Sequence, residues 1–237
     1  MLASVPGIFL FDKPAGITSH DAVGLLRRAL GHGHIGHTGT LDPMATGLLV
    51  MLSGAATRLQ SGMQGCSKTY TGRIKLGETT DTWDAAGKVV SSAAPDRVTR
   101  EALAAAIPAF TGRIIQQVPP YSAVKVGGRR LYKLARGKEA APVVKREVEL
   151  RWLAWEFVPP FIDFEIECAG GTYIRSVAQE LGAALGCGGH LSSLRRTRVG
   201  SWKVEDAATA DFLRSAPREA VLARLLPPEA ARAGGRP

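Results

Sequence analysis

The chain has 237 residues, of which 45% are hydrophobic, enough to build a sizeable core as one large domain or two small ones. No run approaches the roughly 20 apolar residues a membrane span needs, and Met1 to Phe11 reaches Asp12 and Lys13 without a cleavage-site pattern. A cytoplasmic protein with no membrane partner is therefore expected. Thirty Lys and Arg against 21 Asp and Glu leave a formal net charge of +9, which points to a polyanionic partner and says nothing about fold.

Ile8 to Phe11 reads as a short strand, Lys13 to Gly16 as a turn, and Thr18-Ser19-His20-Asp21 as a capping box that opens a helix through Leu30 and stops at Gly31. Ala45 to Leu52 is an apolar run and Thr69 to Leu76 alternates like a strand, with Gly87 to Val90 expected to pair beside it after the polar loop Thr79 to Asp84. Thr99 caps a helix over Glu101 to Ile107, Gly112 to Val118 returns as a strand, and Gly127-Gly128 turns a tight hairpin after Ala123 to Val126. Arg146 to Phe157 and Phe161 to Cys168 are strands around Pro159-Pro160, and Thr172 to Leu185 is a helix ended by Gly186. Leu191 to Arg195, Ala207 to Arg214 and Pro217 to Leu226 read as short helices. The order predicts a mixed α/β (α+β) fold with much antiparallel pairing, in one domain over 1–226, followed by a loose tail over 227–237.

Charge is concentrated. Lys125 to Arg151 holds nine basic residues (Lys125, Arg129, Arg130, Lys133, Arg136, Lys138, Lys145, Arg146 and Arg151) against Glu139, Glu147 and Glu149. Such a run taken alone reads as a solvated face, but Tyr121, Gly127, Gly128 and Tyr132 among the charges shift the reading toward a nucleic-acid grip. Cys66, Cys168 and Cys187 are far apart and form no C-x-x-C pair, so they read as buried or inert thiols. His32, His34 and His37 lack a downstream partner that would complete a ligand set, and no metal site is expected.

Gly36 to Gly47 is dense in loop-forming residues yet opens into an apolar strand, and its one carboxylate, Asp42, is restricted by the following Pro43. An ordinary Asp-Pro turn is the plain alternative. In Cys168 to Ala178 a strand gives way through glycines to a helix with Arg175 in its first turn, and an arginine close to a carboxylate keeps it ionised and aimed. Lys68-Thr69-Tyr70 heads a strand and could offer a ring to a displaced base, or simply pack in the sheet. Leu191 to Arg198 mixes apolar and basic residues, suiting a pocket wall that meets phosphates or an exposed basic end.

Five blocks occur in order: Asp12-Lys13-Pro14 with Thr18 to Asp21; Gly36 to Gly47; Lys68-Thr69-Tyr70 with Gly77 to Asp84; Pro119 to Lys125; and Gly171 to Leu181 with Leu194 to Thr197. Together they resemble the bacterial TruB-type tRNA pseudouridine synthase family from Phe11 to about Trp202. The resemblance implies the pseudouridine synthase fold, a largely antiparallel mixed sheet flanked by helices, with residues 119–146 as a basic RNA-gripping insertion. It implies isomerisation, without cofactor or metal, of a uridine in the T-arm loop of tRNA (position 55), with no obligatory protein partner. Asp42 becomes the catalytic aspartate, Arg175 its ion-pair partner and Tyr70 the ring against the uracil. Tyr173 and Leu194 become pocket contacts, and His37 the loop histidine that meets the RNA. Lys125, Arg129, Arg130, Lys133, Arg136, Arg195 and Arg196 become candidates for the RNA backbone, and Lys13 and Pro14 buttress the active-site loop.

Two departures stand out: His34 sits where relatives commonly carry lysine, and little chain follows the core for the family's usual C-terminal RNA-binding domain. Two other readings stay open: a non-catalytic RNA-binding protein on this scaffold, and a guide-RNA-dependent relative that works with protein partners. A glycosidase is disfavoured because only one acid is strongly placed.

Overall fold

In the computed structural model, which describes residues 4–137, 139 and 142–231, the apolar start of the chain forms β1 (Gly7–Lys13). Lys138 of the basic run and residues 232–237 of the expected tail lie outside the described residues. The chain divides into two units, Met1–Thr71 with Leu194–Pro237, and Gly72–Ser193.

In the first unit, β1 is followed by α1 (Ser19–Leu30), β2 (Ile35–His37) and β3 (Thr46–Ser53). The capping box forms as read: the Thr18 hydroxyl accepts from the Asp21 amide at 3.1 Å, while the Asp21 carboxylate accepts from the Thr18 amide at 2.9 Å. Gly31 closes the helix in the left-handed conformation, donating its N–H to the Arg27 carbonyl. β1 and β3 pair antiparallel from Gly7↔Ser53 to Lys13↔Gly47. Both faces of this pair are buried. Ile8, Leu10, Leu48, Val50 and Leu52 join Met63, Cys66, Val199, Trp202 and Val204 in one core cluster, and Phe9, Phe11, Leu49 and Met51 are fully buried on the opposite face. Two-sided burial is why these strands read as continuous apolar runs rather than as alternation. A short α2 (Gln60–Gln64) leads to β4 (Lys68–Leu76), within which the chain passes into the second unit.

There, β5 (Glu78–Thr80) and β6 (Val89–Ser92) form a separate antiparallel ribbon. The expected strand near Gly87 to Val90 thus exists but pairs with Glu78–Thr80, not with Thr69 to Leu76. A loop of eight residues folds it back on its nearest extended neighbour. After α3 (Arg100–Ala106), whose Thr99 cap accepts from the Ala102 amide, come β7 (Gly112–Gln117) and the hairpin β8 (Lys125–Val126) and β9 (Arg129–Arg130). Gly127 and Gly128 take φ of 55° and 78°, as a two-residue primed turn requires. α4 (Leu131–Arg136), β10 (Lys145–Val158), β11 (Phe161–Cys168), α5 (Ile174–Ala184) and β12 (Gly189–Val199) complete this unit, the last strand carrying the chain back into the first. β10 lies between β11 and β7, antiparallel to both, with a bulge between Trp152 and Ala154. On α4, Leu131 and Leu134 are buried with Val118, and Val124, Val126, Val144 and Tyr173 pack on them.

Back in the first unit, β12 runs parallel to β3, Arg195 opposite Thr46 and Arg196 opposite Gly47, and pairs antiparallel with β13 (Trp202–Lys203). The short helix expected over Leu191 to Arg195 is therefore strand. Leu191 and Leu194 sit at a helical spacing of three, but a strand slot between β3 and β4 supplies ladder partners that override so short a signal. α6 (Ala210–Ser215) and α7 (Arg218–Ala223) follow, and Ala230 and Ala231 pack on the core cluster of β1 and β3. Among the described residues, no helix is long and apolar enough to cross a membrane.

Candidate active site

In the first unit, β1 occupies the length of one edge of β3, and the other edge is shared: β12 pairs at Thr46 and Gly47, β2 at Met51 to Ser53. The chain between His37 and Thr46 must therefore leave the sheet and return, and Asp42 lies on that excursion. Backbone bonds hold it on both sides. The Leu41 N–H donates to the Ser19 hydroxyl at 2.9 Å, and that hydroxyl is also 3.1 Å from the Leu41 carbonyl. The Pro43 carbonyl accepts from the Gly16 N–H at 2.8 Å and the Lys13 ammonium at 3.3 Å, and the Asp42 carbonyl accepts from the Ala45 N–H at 3.0 Å. A half-buried carboxylate is thus carried by peptide units that are fixed before and after it. Ser19→Ala should strand the buried Leu41 amide and carbonyl, lowering stability by about 1–3 kcal/mol; a denaturant midpoint unchanged from the wild type would contradict this anchoring.

Lys13 is fully buried beneath the loop, its ammonium donating to the carbonyls of Pro14 at 2.8 Å, Ile17 at 2.9 Å and Pro43 at 3.3 Å. Burial lowers its pKa to about 8, against an upward pull from the Asp42 carboxylate and with a smaller downward push from Arg196. His37, half-buried on β2, is held below the ordinary histidine value by burial, then by Arg196 and His20, and so presents a neutral imidazole at pH 7. The other two histidines of the cluster are engaged locally, His32 with the Ser53 hydroxyl and His34 with the Thr57 hydroxyl. Tyr70 on β4 and Leu194 on β12 are both buried, and the Leu194 carbonyl accepts from the Thr46 hydroxyl.

The two arginines after Leu194 diverge. Arg195 is partly exposed and forms a two-pronged ion pair with Asp12 at 3.0 and 2.8 Å. Arg196, expected beside it facing the RNA backbone, is only 2% exposed, with Nε 2.7 Å from the Leu48 carbonyl and a terminal nitrogen 3.1 Å from that of Gly39. Alternation along a strand sends adjacent side chains to opposite faces, and Arg196 falls on the inner one.

In the second unit, Arg175 lies in the first turn of α5, almost completely buried. Its guanidinium donates to the carbonyls of Thr82 at 2.9 Å and Tyr121 at 3.1 Å and lies 3.7 Å from the buried Asp84 carboxylate. Asp84 in turn accepts from the Thr82 hydroxyl at 2.6 Å and the Ala86 amide at 3.0 Å. Tyr173, the N-cap of α5, has both of its backbone groups bound by the side-chain amide of fully buried Gln116, and Arg146 stacks over its ring at 5.5 Å. Local sequence pattern gives Asp84 and Gln116 no evident role. Asp84 fell inside a motif block and could have been singled out as its buried acid, whereas Gln116 carries no signal in an unremarkable strand.

Lys125, Arg129, Arg130, Lys133 and Arg136 are all exposed around the β8–β9 hairpin and α4. The guanidinium groups of Arg130 and Arg136 lie 6.0 and 5.6 Å from the Tyr132 ring, and Arg129 is tied to Glu139 by two bonds of 2.7 and 2.6 Å.

Residues 27–174 match the family described as TruB family pseudouridylate synthase (N terminal domain), and residues 175–231 match the tRNA pseudouridylate synthase B C-terminal domain. The chain is 48% identical over 215 residues to the tRNA pseudouridine synthase B of Arthrobacter sp. (strain FB24), covering 87% of this chain and 70% of that protein. It is 46% identical over 222 residues to that of Mycobacterium bovis (strain BCG / Pasteur 1173P2), covering 92% and 74%. Among solved structures, a Cbf5–Nop10–Gar1 complex matches with a TM-score of 0.69 at 30% identity; the match covers 95% of this chain but only 61% of that one. Sheet, carboxylate loop and relatives define a pseudouridine synthase, an isomerase that converts uridine in RNA to pseudouridine. Within that class the chain belongs to the TruB family.

Proposed function

We propose that this protein converts a uridine in the T-arm loop of tRNA, position 55, to pseudouridine, with Asp42 as the catalytic carboxylate. The observation that carries the reading is the loop itself: backbone bonds to Leu41, Asp42 and Pro43 aim one carboxylate, with a buried ammonium beneath it. The tRNA pseudouridine synthase B proteins to which the chain is 48% and 46% identical support tRNA as the substrate.

The reaction breaks the bond from ribose C1′ to uracil N1, turns the base, and forms a bond from C1′ to C5; a proton leaves C5 and one is gained at N1. Nothing is oxidised or reduced, so no redox partner is consumed. Departure of the uracil leaves an electron-poor sugar that a fixed carboxylate stabilises or captures. Reaching C1′ and C5 requires the nucleotide to be out of its stack, which costs a few kcal/mol that contacts to the surrounding RNA offset. In the first unit, Tyr70 is assigned to the face of the displaced uracil, Leu194 to the pocket wall and neutral His37 to the RNA beside it. Arg175 and Tyr173 in the second unit take their roles, catalytic support and substrate contact, from the family motif.

Lys125, Arg129, Arg130, Lys133, Arg136 and Arg195 are assigned to the RNA backbone, within a cytoplasmic enzyme. Replacing Arg130 or Lys133 with Ala should weaken tRNA binding regardless of sequence and lower the slope of log affinity against log salt by about 1. Arg129→Ala should do less, because Glu139 already neutralises that charge. Equal effects at all three positions would count against the assignment.

The direct test is pseudouridine mapping in an unmodified tRNA transcript incubated with the isolated protein. Product in the T-arm loop supports the proposal. Binding without product would indicate an RNA-binding protein, and product only on addition of a guide RNA and protein partners would indicate the partner-dependent reading.

A further inference from the structure

Arg196 is one of the largest fully enclosed side chains among the described residues, and its bonds run to backbone carbonyls rather than to a carboxylate. A buried cation with carbonyl partners is costly to desolvate, and a neutral side chain would fill the same space more cheaply. The two carbonyls it reaches are not neighbours. Gly39 lies before Asp42 and Leu48 after it, so a single guanidinium joins the outgoing and returning limbs of the loop that carries the carboxylate.

The backbone of Arg196 holds the same loop a second time. Gly47 pairs with Arg196 in the parallel β3–β12 ladder and takes φ of 101°; a Cβ there would sit 2.3 Å from the Arg196 carbonyl oxygen. Only glycine fits so close an approach. Around the guanidinium lie Lys13 and His37, each of which feels its charge, with the Asp42 carboxylate acting on Lys13 from the same region.

From this arrangement we infer that Arg196 is a positioning residue for the reaction, a buried fork that clamps Gly39 to Leu48 and so fixes where the Asp42 carboxylate points. The inference rests on Asp42 being the catalytic group. Arginine suits the task because its planar fork presents donors in two directions at once, whereas the single point charge of lysine satisfies one carbonyl at a time. Its effect falls on the chemical step. A shift of the carboxylate by about 1 Å is enough to cost roughly 100-fold in rate, while RNA affinity is set elsewhere on the molecule.

The experiment compares wild type, Arg196→Lys, Arg196→Gln and Asp42→Asn on one tRNA transcript, measuring single-turnover pseudouridine formation, RNA affinity at several salt concentrations, and thermal unfolding. Expected for Arg196→Lys is a folded protein with unchanged affinity and salt slope and a single-turnover rate reduced by about 100-fold; Arg196→Gln should be slower still. Reduced affinity with a salt slope lower by about 1 and an unchanged rate at saturation would make Arg196 a phosphate contact and overturn the inference. A wild-type rate in Arg196→Lys would overturn it equally. Should Arg196→Gln fail to fold, Arg196→Lys decides alone, since it keeps the buried charge and loses only the fork. If Asp42→Asn stays active, the assignment of Asp42 has failed, and that outcome is distinct from an inactive Asp42→Asn beside a fully active Arg196→Lys.

Discussion

Asp42→Asn should lose at least about 1,000-fold in the rate of pseudouridine formation while binding tRNA as the wild type does. The physical case is that the loop is anchored by backbone groups that the substitution leaves in place. Position 42 is held through backbone groups, by the Ser19 hydroxyl on Leu41, by Gly16 and Lys13 on the Pro43 carbonyl, and by the Ala45 amide on the Asp42 carbonyl. None of these bonds involves the carboxylate, so they should persist in the variant, and the exposed basic residues proposed to meet RNA are untouched. An amide of the same shape cannot stabilise the developing positive charge at C1′ as an anion does. The measurement is single-turnover product formation beside a binding curve on the same transcript. Turnover within tenfold of wild type would remove Asp42 from the chemistry. Loss of binding would mean that the carboxylate also orders the loop.

The second large effect is expected at Lys13. Its ammonium bridges three carbonyls beneath the loop and acts on Asp42 as a nearby positive charge, at a site where burial has already brought its pKa down to about 8. Between that value and the ordinary 10.5 the unfolded chain holds this proton and the folded chain does not, so on this group's account stability rises with pH across the window. Activity should move the other way. Above pH 8 the ammonium becomes neutral, the loop loses its charged donor, and kcat should fall with an apparent pKa near 8 while the denaturant midpoint does not fall. Lys13→Met should lack this alkaline limb, run about 10- to 100-fold slower at pH 7, and lose roughly 1–3 kcal/mol of stability as the carbonyls of Pro14, Ile17 and Pro43 lose a donor. Identical alkaline limbs in the two proteins would show that another group titrates there. The Asp42→Asn protein offers an internal check, since removing the carboxylate removes an influence that raises the Lys13 pKa.

Features that local chemistry specifies were legible in the residues alone. Thr18 to Asp21 is a helix start wherever it stands, because both halves of the capping box lie within four residues. Gly127-Gly128 turns a hairpin because both positions need positive φ. The apolar runs at Ile8 and Leu48 could hardly be anything but strands or core, and the loop between Gly36 and Gly47 announced its one carboxylate. Tertiary structure alone decided what depends on partners far along the chain. Leu191 to Arg195 has a helical spacing of leucines and becomes strand because β12 takes a place in the sheet next to β3 and β4, with Arg195 opposite Thr46. Arg196 looks like a phosphate contact beside Arg195, and only the carbonyls of Gly39 and Leu48, 157 and 148 residues away in sequence, turn it inward. The same holds for Asp84 against Arg175 and Gln116 against Tyr173, 57 residues apart in the second case. A short side-chain pattern fixes a residue's local conformation, but which of its polar groups must be satisfied inside the protein, and by what, is settled only when distant segments close over it.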